Sequence, residues 1–310
     1  MKNGETDMSG GAGWLERVHG GWLALLGITI LSPDALLIRL IKADDMTTAF
    51  WRLLILGLTL MAAAAWRGMR ARQPLWQAIR PRRDEILAGL FYGGTSACFI
   101  LSIKNTDAAN TLVIIAATPL ISGLIGAFLF RRRQPLRTWI ASIVVFVALA
   151  TIVGNGLGGA HMLGDILALG TALCMACYFN VLGVRINIDT VRAMMVGALL
   201  VALCVAPAAT PSALHPWDPL WLVLLGCLVL PLSFTFISMG AKRIPAAEVG
   251  LIMLTEAILG SGLVWLFMDE VPSSTTLIAG AVVIATLATH SLLALYGNRN
   301  RRAVNANVGG

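Results

Sequence analysis

A chain of 310 residues that is 57% hydrophobic and only 13% charged, with a mean hydropathy of +0.80, carries more apolar surface than a water-soluble core can hide. That excludes a soluble globular domain, and the uninterrupted apolar runs exclude a transmembrane β-barrel, whose strands alternate in polarity over about ten residues. The net charge of +7, which in a soluble protein points to nucleic acid, has a topological explanation here, and no nucleic-acid partner is expected.

Residues 1–19 are polar and Gly-rich, lack a cleavable apolar region and run directly into a full-length span, which predicts a retained N-terminal tail and no removable signal peptide. Apolar runs bounded by charges, Gly or Pro then predict ten membrane helices, at 20–41, 46–66, 84–103, 107–130, 137–154, 164–184, 191–209, 219–240, 245–268 and 277–296. A charged tail over 297–310 ends the chain. If the N-terminus is cytoplasmic, the cytoplasmic segments hold 19 of the 23 Lys and Arg residues, leaving Lys42 and Lys104 in outer connections and Arg39 and Arg52 within spans. That asymmetry predicts both termini inside.

The stretch from Lys242 to Glu270 is a membrane-length apolar run with a carboxylate, Glu256, near its middle. A shift of 138 positions lays it on the stretch from Lys104, pairing Ala246 and Ala247 with Ala108 and Ala109 and placing Glu256 beside Thr118 and Pro119. The shared layout is a Lys, a short connector, an Ala pair, an interrupted apolar span and a charged exit, which predicts an internal repeat. Ten helices divide into two fives, 20–154 and 164–296, joined by the Gly-rich GNGLGGAHML. An odd number of spans per half makes the halves inverted, the architecture in which transporters build two related gates around one site. The expected fold is an all-α integral membrane protein of two inverted five-helix repeats.

Several segments together carry a family resemblance: ALLIRL followed by TTAFWRLLILG, TLVIIAATPLISGL, GDILALGTALCMACY, and EVGLIMLTEAILGSGLVWLFMDEVPSSTTLIAG. With the five-plus-five layout, the chain resembles the EamA branch of the drug/metabolite transporter superfamily over nearly its whole length. One departure is that the acidic residue common after the fourth helix is replaced by Arg131, Arg132 and Arg133, whereas Glu270 keeps it in the second half. The resemblance implies a secondary transporter in the bacterial inner membrane, with exporters of amino acids, aromatic ones included, prominent in that branch. Other amphiphilic metabolites or drugs remain open as substrates. Neither a cofactor nor a metal is implied, and the protein is expected as a monomer or homodimer.

An ionisable group at the centre of a span costs about 2.5–3.5 kcal/mol on insertion scales, so such groups are expected to face protein or water. Asp34 follows Pro33 in the first helix, where a proline kink and Ser32 form a local polar site. Asp34 is read either as a substrate group or as the structural partner of Arg39 or Arg52; both arginines are read as substrate contacts or gate ion pairs. Glu256 is the most expensive placement and is read as a substrate or proton-coupling group, against a structural hydrogen bond. Pro119 and Pro231, the latter beside Ser233, interrupt the fourth and eighth spans, where broken helices expose backbone to a ligand. Tyr92 and Tyr178 lie mid-span, away from interfacial aromatic belts. Carboxylates, guanidinium groups and tyrosines suit a zwitterion such as an amino acid. A cavity between helices 1, 3, 4, 6, 8 and 9 is expected near the bilayer midplane, with helices 5 and 10 peripheral and His290 structural.

Five cysteines lie in apolar runs and act as small hydrophobes, including the CxxC-spaced Cys174 and Cys177. Gly89 and Gly93 fit a small-xxx-small helix contact. An intramembrane enzyme is the competing class, and the sequence contains no HExxH, no GxSxG and no His/Asp metal set. A channel would need a continuous polar stripe, and a receptor gains nothing from inverted halves.

Overall fold

The protein is described by a computed structural model covering residues 20–129, 135–155, 161–184, 188–241, 243 and 246–308. Among the described residues, ten helices cross the bundle. In chain order they are α1 (Gly20–Leu31 continuing as Asp34–Leu40), α2 (Asp45–Arg70), α3 (Arg83–Asn105), α4 (Ala108–Ala116 continuing as Thr118–Leu129), α5 (Leu136–Asn155), α6 (Met162–Val184), α7 (Thr190–Val205), α8 (Asp218 to Ala241 in three segments), α9 (Ala246–Met268) and α10 (Ser274–Val308). Nine are long and apolar enough to span a membrane over their described residues, and α9 contributes a shorter apolar stretch, Ile252–Met268. The expected boundaries hold to within a few residues except at α10. That helix continues to Val308 because, after Gly297, nothing in the charged tail breaks it.

Proline sets the interruptions. In α1 the helix breaks at Ser32 and Pro33, and the Ser32 hydroxyl donates to the Ile28 carbonyl at 2.9 Å, occupying a backbone group near the break. In α4 the break falls at Ala117, just before Pro119, and the Thr118 hydroxyl donates to the Ile115 carbonyl at 2.6 Å. In α8 the irregularity lies upstream of Pro231, as a π-helical segment over Leu224–Val229. Pro231 has no N–H for the Cys227 carbonyl one turn back, so the wider helix accommodates the mismatch before the proline rather than at it.

The halves run through the bundle in opposite senses. The Asp44 carboxylate caps α2 at one end, while Asp189 caps α7 at the other, beside Arg67 of α2. The tightest packing is between α3 and α7: a Cβ built on Gly89 would stand 2.6 Å from the Ala193 carbonyl oxygen, and one on Gly93 2.7 Å from that of Gly197. Only glycine permits this backbone approach, so the small-xxx-small reading of α3 is met by a third glycine on α7. Around this seam a large core joins α1, α2, α3, α7 and α8, and a second joins α4, α5, α6 and α10. The α5 and α10 helices pack on each other at the perimeter, and α5 exposes Ile140, Ile143 and Val147.

The two ends of the bundle differ. Near Asp44, the first segment of α4 packs on both α9 and α10. Beyond the break at Ala117, the second segment follows α6 and, lightly, α5, and among the described residues it has at most marginal contact with α9 or α10. Among the described residues, α4 and α9 therefore meet at the Asp44 end and have at most marginal contact toward the Asp189 end.

Candidate functional site

The break in α1 places Asp34 at the start of its second segment, buried and facing α2. One nitrogen of the Arg52 guanidinium donates to both Asp34 oxygens, at 2.9 and 2.7 Å. Of the two structural partners expected for Asp34, Arg52 is the one the fold supplies. Arg52 lies 5.9 Å above the Phe99 ring, and its Nε is enclosed without a hydrogen-bond partner. A buried donor left unpaired costs about 1–3 kcal/mol and asks for an explanation.

Tyr92 of α3 and Tyr178 of α6 come together, with ring centroids 5.8 Å apart. Phe234 of α8 meets Tyr92 edge-on, also at 5.8 Å, so three helices share one aromatic contact. The Tyr178 hydroxyl is buried and, like Arg52 Nε, unpaired. Ser233, by contrast, is fully buried with its hydroxyl on the Leu230 carbonyl, and its own carbonyl presses on Gly27. Pro231 and Ser233 shape the packing of α8 on α1, and neither lines the cavity.

Glu256, halfway along α9, lines a cavity of about 30 Å³ with Thr118 and Pro119 of α4. Leu112, Ile115, Met175, Phe179 and Met253 complete its mainly apolar wall. A volume of 30 Å³ admits about two waters, which is less than an amino acid needs. Asp34 is the electrostatic neighbour of Glu256. A second cavity of about 110 Å³, between α4, α5 and α10, shares the Pro119 wall and is lined by Thr138, His290 and Ser291.

Arg39 lies away from this cluster, at the Asp44 end. It forms an ion pair with Glu270 at 3.0 Å and donates to the Thr106 carbonyl at 2.6 Å, while the Ala108 N–H donates to the same Glu270 oxygen at 2.7 Å. Asp269, at φ 53°, takes the left-handed conformation that turns the chain after α9 and sets Glu270 against α1.

Sequence reasoning missed most of the polar network around that bridge. Asp165, fully buried at the start of α6, accepts from Thr106 at 2.7 Å, and Asp218 accepts from the Lys42 and Ala43 amides at 2.9 and 3.0 Å. Lys104 donates to the Ile41 and Ala43 carbonyls at 2.8 and 2.7 Å. At the opposite end Glu85 meets Arg192 at 2.8 Å and Asp189 meets Arg67 at 3.0 Å, holding α2, α3 and α7 together. Burial of carboxylates at span ends was the available signal; their partners lie tens to hundreds of residues away, where no local pattern names them.

Among the described residues there is no group of His, Cys, Asp or Glu able to hold a metal ion. The model of the EamA-like transporter family matches the chain twice, over residues 18–154 and 162–292. The chain is 27% identical over 225 residues to the threonine/homoserine exporter of Escherichia coli, covering 67% of this chain and 72% of that protein. It is 27% identical over 222 residues to the threonine/homoserine exporter of Salmonella typhimurium, with the same 67% and 72% coverage. A solved crystal structure superposes with a TM-score of 0.62 at 19% identity, covering 88% of this chain and 97% of that one, which shows a shared fold. With ten apolar helices in two matched copies, the chain belongs to the EamA-like transporter family and is a multi-pass membrane transporter, not an enzyme.

Proposed function

We propose that the protein exports small amphiphilic metabolites, amino acids foremost, across the bacterial inner membrane by alternating access around the Glu256 cavity. The observation that carries this reading is the Glu256 carboxyl lining a mid-span cavity, with Asp34 of the Asp34–Arg52 pair as its electrostatic neighbour and two buried polar atoms of the surrounding core, Arg52 Nε on α2 and the Tyr178 hydroxyl on α6, left without a partner. A zwitterion satisfies them together. Its ammonium meets Glu256 or the tyrosine faces, its carboxylate meets the spare Arg52 donor, and its side chain meets Met175, Phe179 and Met253. Asp34 holds the Arg52 guanidinium in place, and Pro119 shapes the α4 wall. The relatives' threonine and homoserine export supports the substrate class.

With both termini cytoplasmic, as the distribution of Lys and Arg favours, the Asp44 end is the outer one. The α4–α9 contact then lies at the outer end, as expected of a state from which an exporter loads. Expansion of the cavity accompanies loading, and rocking of the halves delivers the substrate outward.

Cysteines introduced singly at positions 92, 178 and 256 test the location. Each is expected to react with an aqueous thiol reagent and to be protected by threonine or another transported amino acid. Labelling of all three that no amino acid slows, or equal labelling along α5, places the path elsewhere.

A further inference from the structure

The Arg39–Glu270 bridge joins the two repeats: Arg39 lies on α1 of the first, and Glu270 follows α9 of the second. It is more than a surface pair. Both side chains are 21% exposed, Arg39 also binds the Thr106 carbonyl, and Glu270 also takes the Ala108 amide, so one bridge fixes α1, the α3–α4 connection and the end of α9. It sits where α4 and α9 meet, and among the described residues the same helices have at most marginal contact toward the other end. The 138-residue shift that pairs Lys242 with Lys104 carries Glu270 onto Arg132, flanked by Arg131 and Arg133. Those positions lie outside the described residues, but the sequence offers no carboxylate there.

We infer that Arg39 and Glu270 are gating residues of a latch that holds the Asp44 end closed, while the Glu85–Arg192 and Arg67–Asp189 pairs link the repeats at the other end. Two facts of charge favour this over a purely structural bridge. The pair is the described ion pair at that end linking the repeats through a segment that must separate if the end opens. The nearby Lys104 and Asp218 are already engaged by backbone partners, so neither replaces a lost latch partner. The inference rests on the proposed outward path for its direction, but the latch itself is read without any substrate.

The test uses the full chain with its native cysteines changed to Ser and one reporter, Leu112→Cys, in the cavity wall. Sealed vesicles are treated with a membrane-impermeant thiol reagent from the side of the Asp44 end. Glu270→Ala and Arg39→Ala should each raise the labelling rate about tenfold, the effect of losing a charged hydrogen-bond network of this size. The double variant should label no faster than either alone, because both singles break one latch. Glu270→Gln, which keeps an acceptor for the Ala108 amide, gives a second reading if truncation impairs folding. Labelling rates equal to the parent's in all variants, fast labelling of the parent itself, or additive effects of the two single changes would each overturn the latch. Failure of substrate protection at positions 92, 178 and 256 overturns the substrate reading instead and leaves these rates unaffected.

Discussion

Replacing Asp34 by Ala leaves the Arg52 guanidinium, whose side chain is 3% exposed, inside the bundle without its counter-charge. Removing one partner of a buried ion pair costs about 3–5 kcal/mol, since the remaining charge keeps its desolvation penalty. Exchanging both partners for apolar residues of similar volume is close to neutral or stabilising. At about 2 °C per kcal/mol for a large domain, Asp34→Ala should lower the unfolding midpoint by roughly 6–10 °C. The double variant Asp34→Leu with Arg52→Met should recover most of that loss while transport stays abolished, because the guanidinium donor is gone. Tryptophan fluorescence of the purified protein in detergent follows the midpoint, and reconstituted flux follows the activity. An Asp34→Ala midpoint within about 2 °C of the parent, or a double variant as unstable as the single, would refute the buried-pair argument.

Gly197→Ala should destabilise by about 1–3 kcal/mol, because its Cβ would press on the Gly89 and Gly93 backbone of α3, which cannot yield as a side chain would. Gly262→Ala, with nothing within 4 Å of the added carbon, is the matched control and should be neutral or slightly stabilising in the same fluorescence melt. Burial alone would raise the Asp44 carboxyl, but hydrogen bonds from Thr47 and Thr210 outweigh it and hold the group below the usual carboxylate range. Its contribution to stability is therefore fully present above the unfolded carboxylate pKa and is lost as pH falls below that value through the lowered folded pKa. Asp44→Asn should flatten the acid side of the stability profile measured below about pH 5, while an unchanged acid limb would show that the cap is not linked to folding.

Hydropathy was enough for the ten helices, because span length is set by the bilayer and by caps and breakers that are local. The α1 and α4 breaks follow from Pro33 and Pro119 for the same reason. The π segment of α8 was not legible, since a proline states that a hydrogen bond is lost but not which turn absorbs the change. The tyrosines could be named as interior groups from their depth along the span, but their meeting depends on how α3 packs on α6. Arg39 and Glu270 are 231 positions apart in sequence, so no local pattern pairs them and only the tertiary structure brings them together. The pairing of Asp34 with Arg52 rather than Arg39 was likewise a choice between local candidates that the α1–α2 geometry made.

Counterflow in proteoliposomes tests the central claim most directly: vesicles loaded with unlabelled threonine are diluted into trace labelled threonine, and transient accumulation is followed at several pH values. The parent should accumulate label, and Glu256→Gln, which preserves side-chain shape and a polar group, should fold normally yet lose most of the accumulation or its pH dependence. Counterflow by Glu256→Gln equal to the parent's at every pH would contradict a substrate or proton-coupling role for Glu256, and absence of parental counterflow with any of the common amino acids would contradict amino acid export itself.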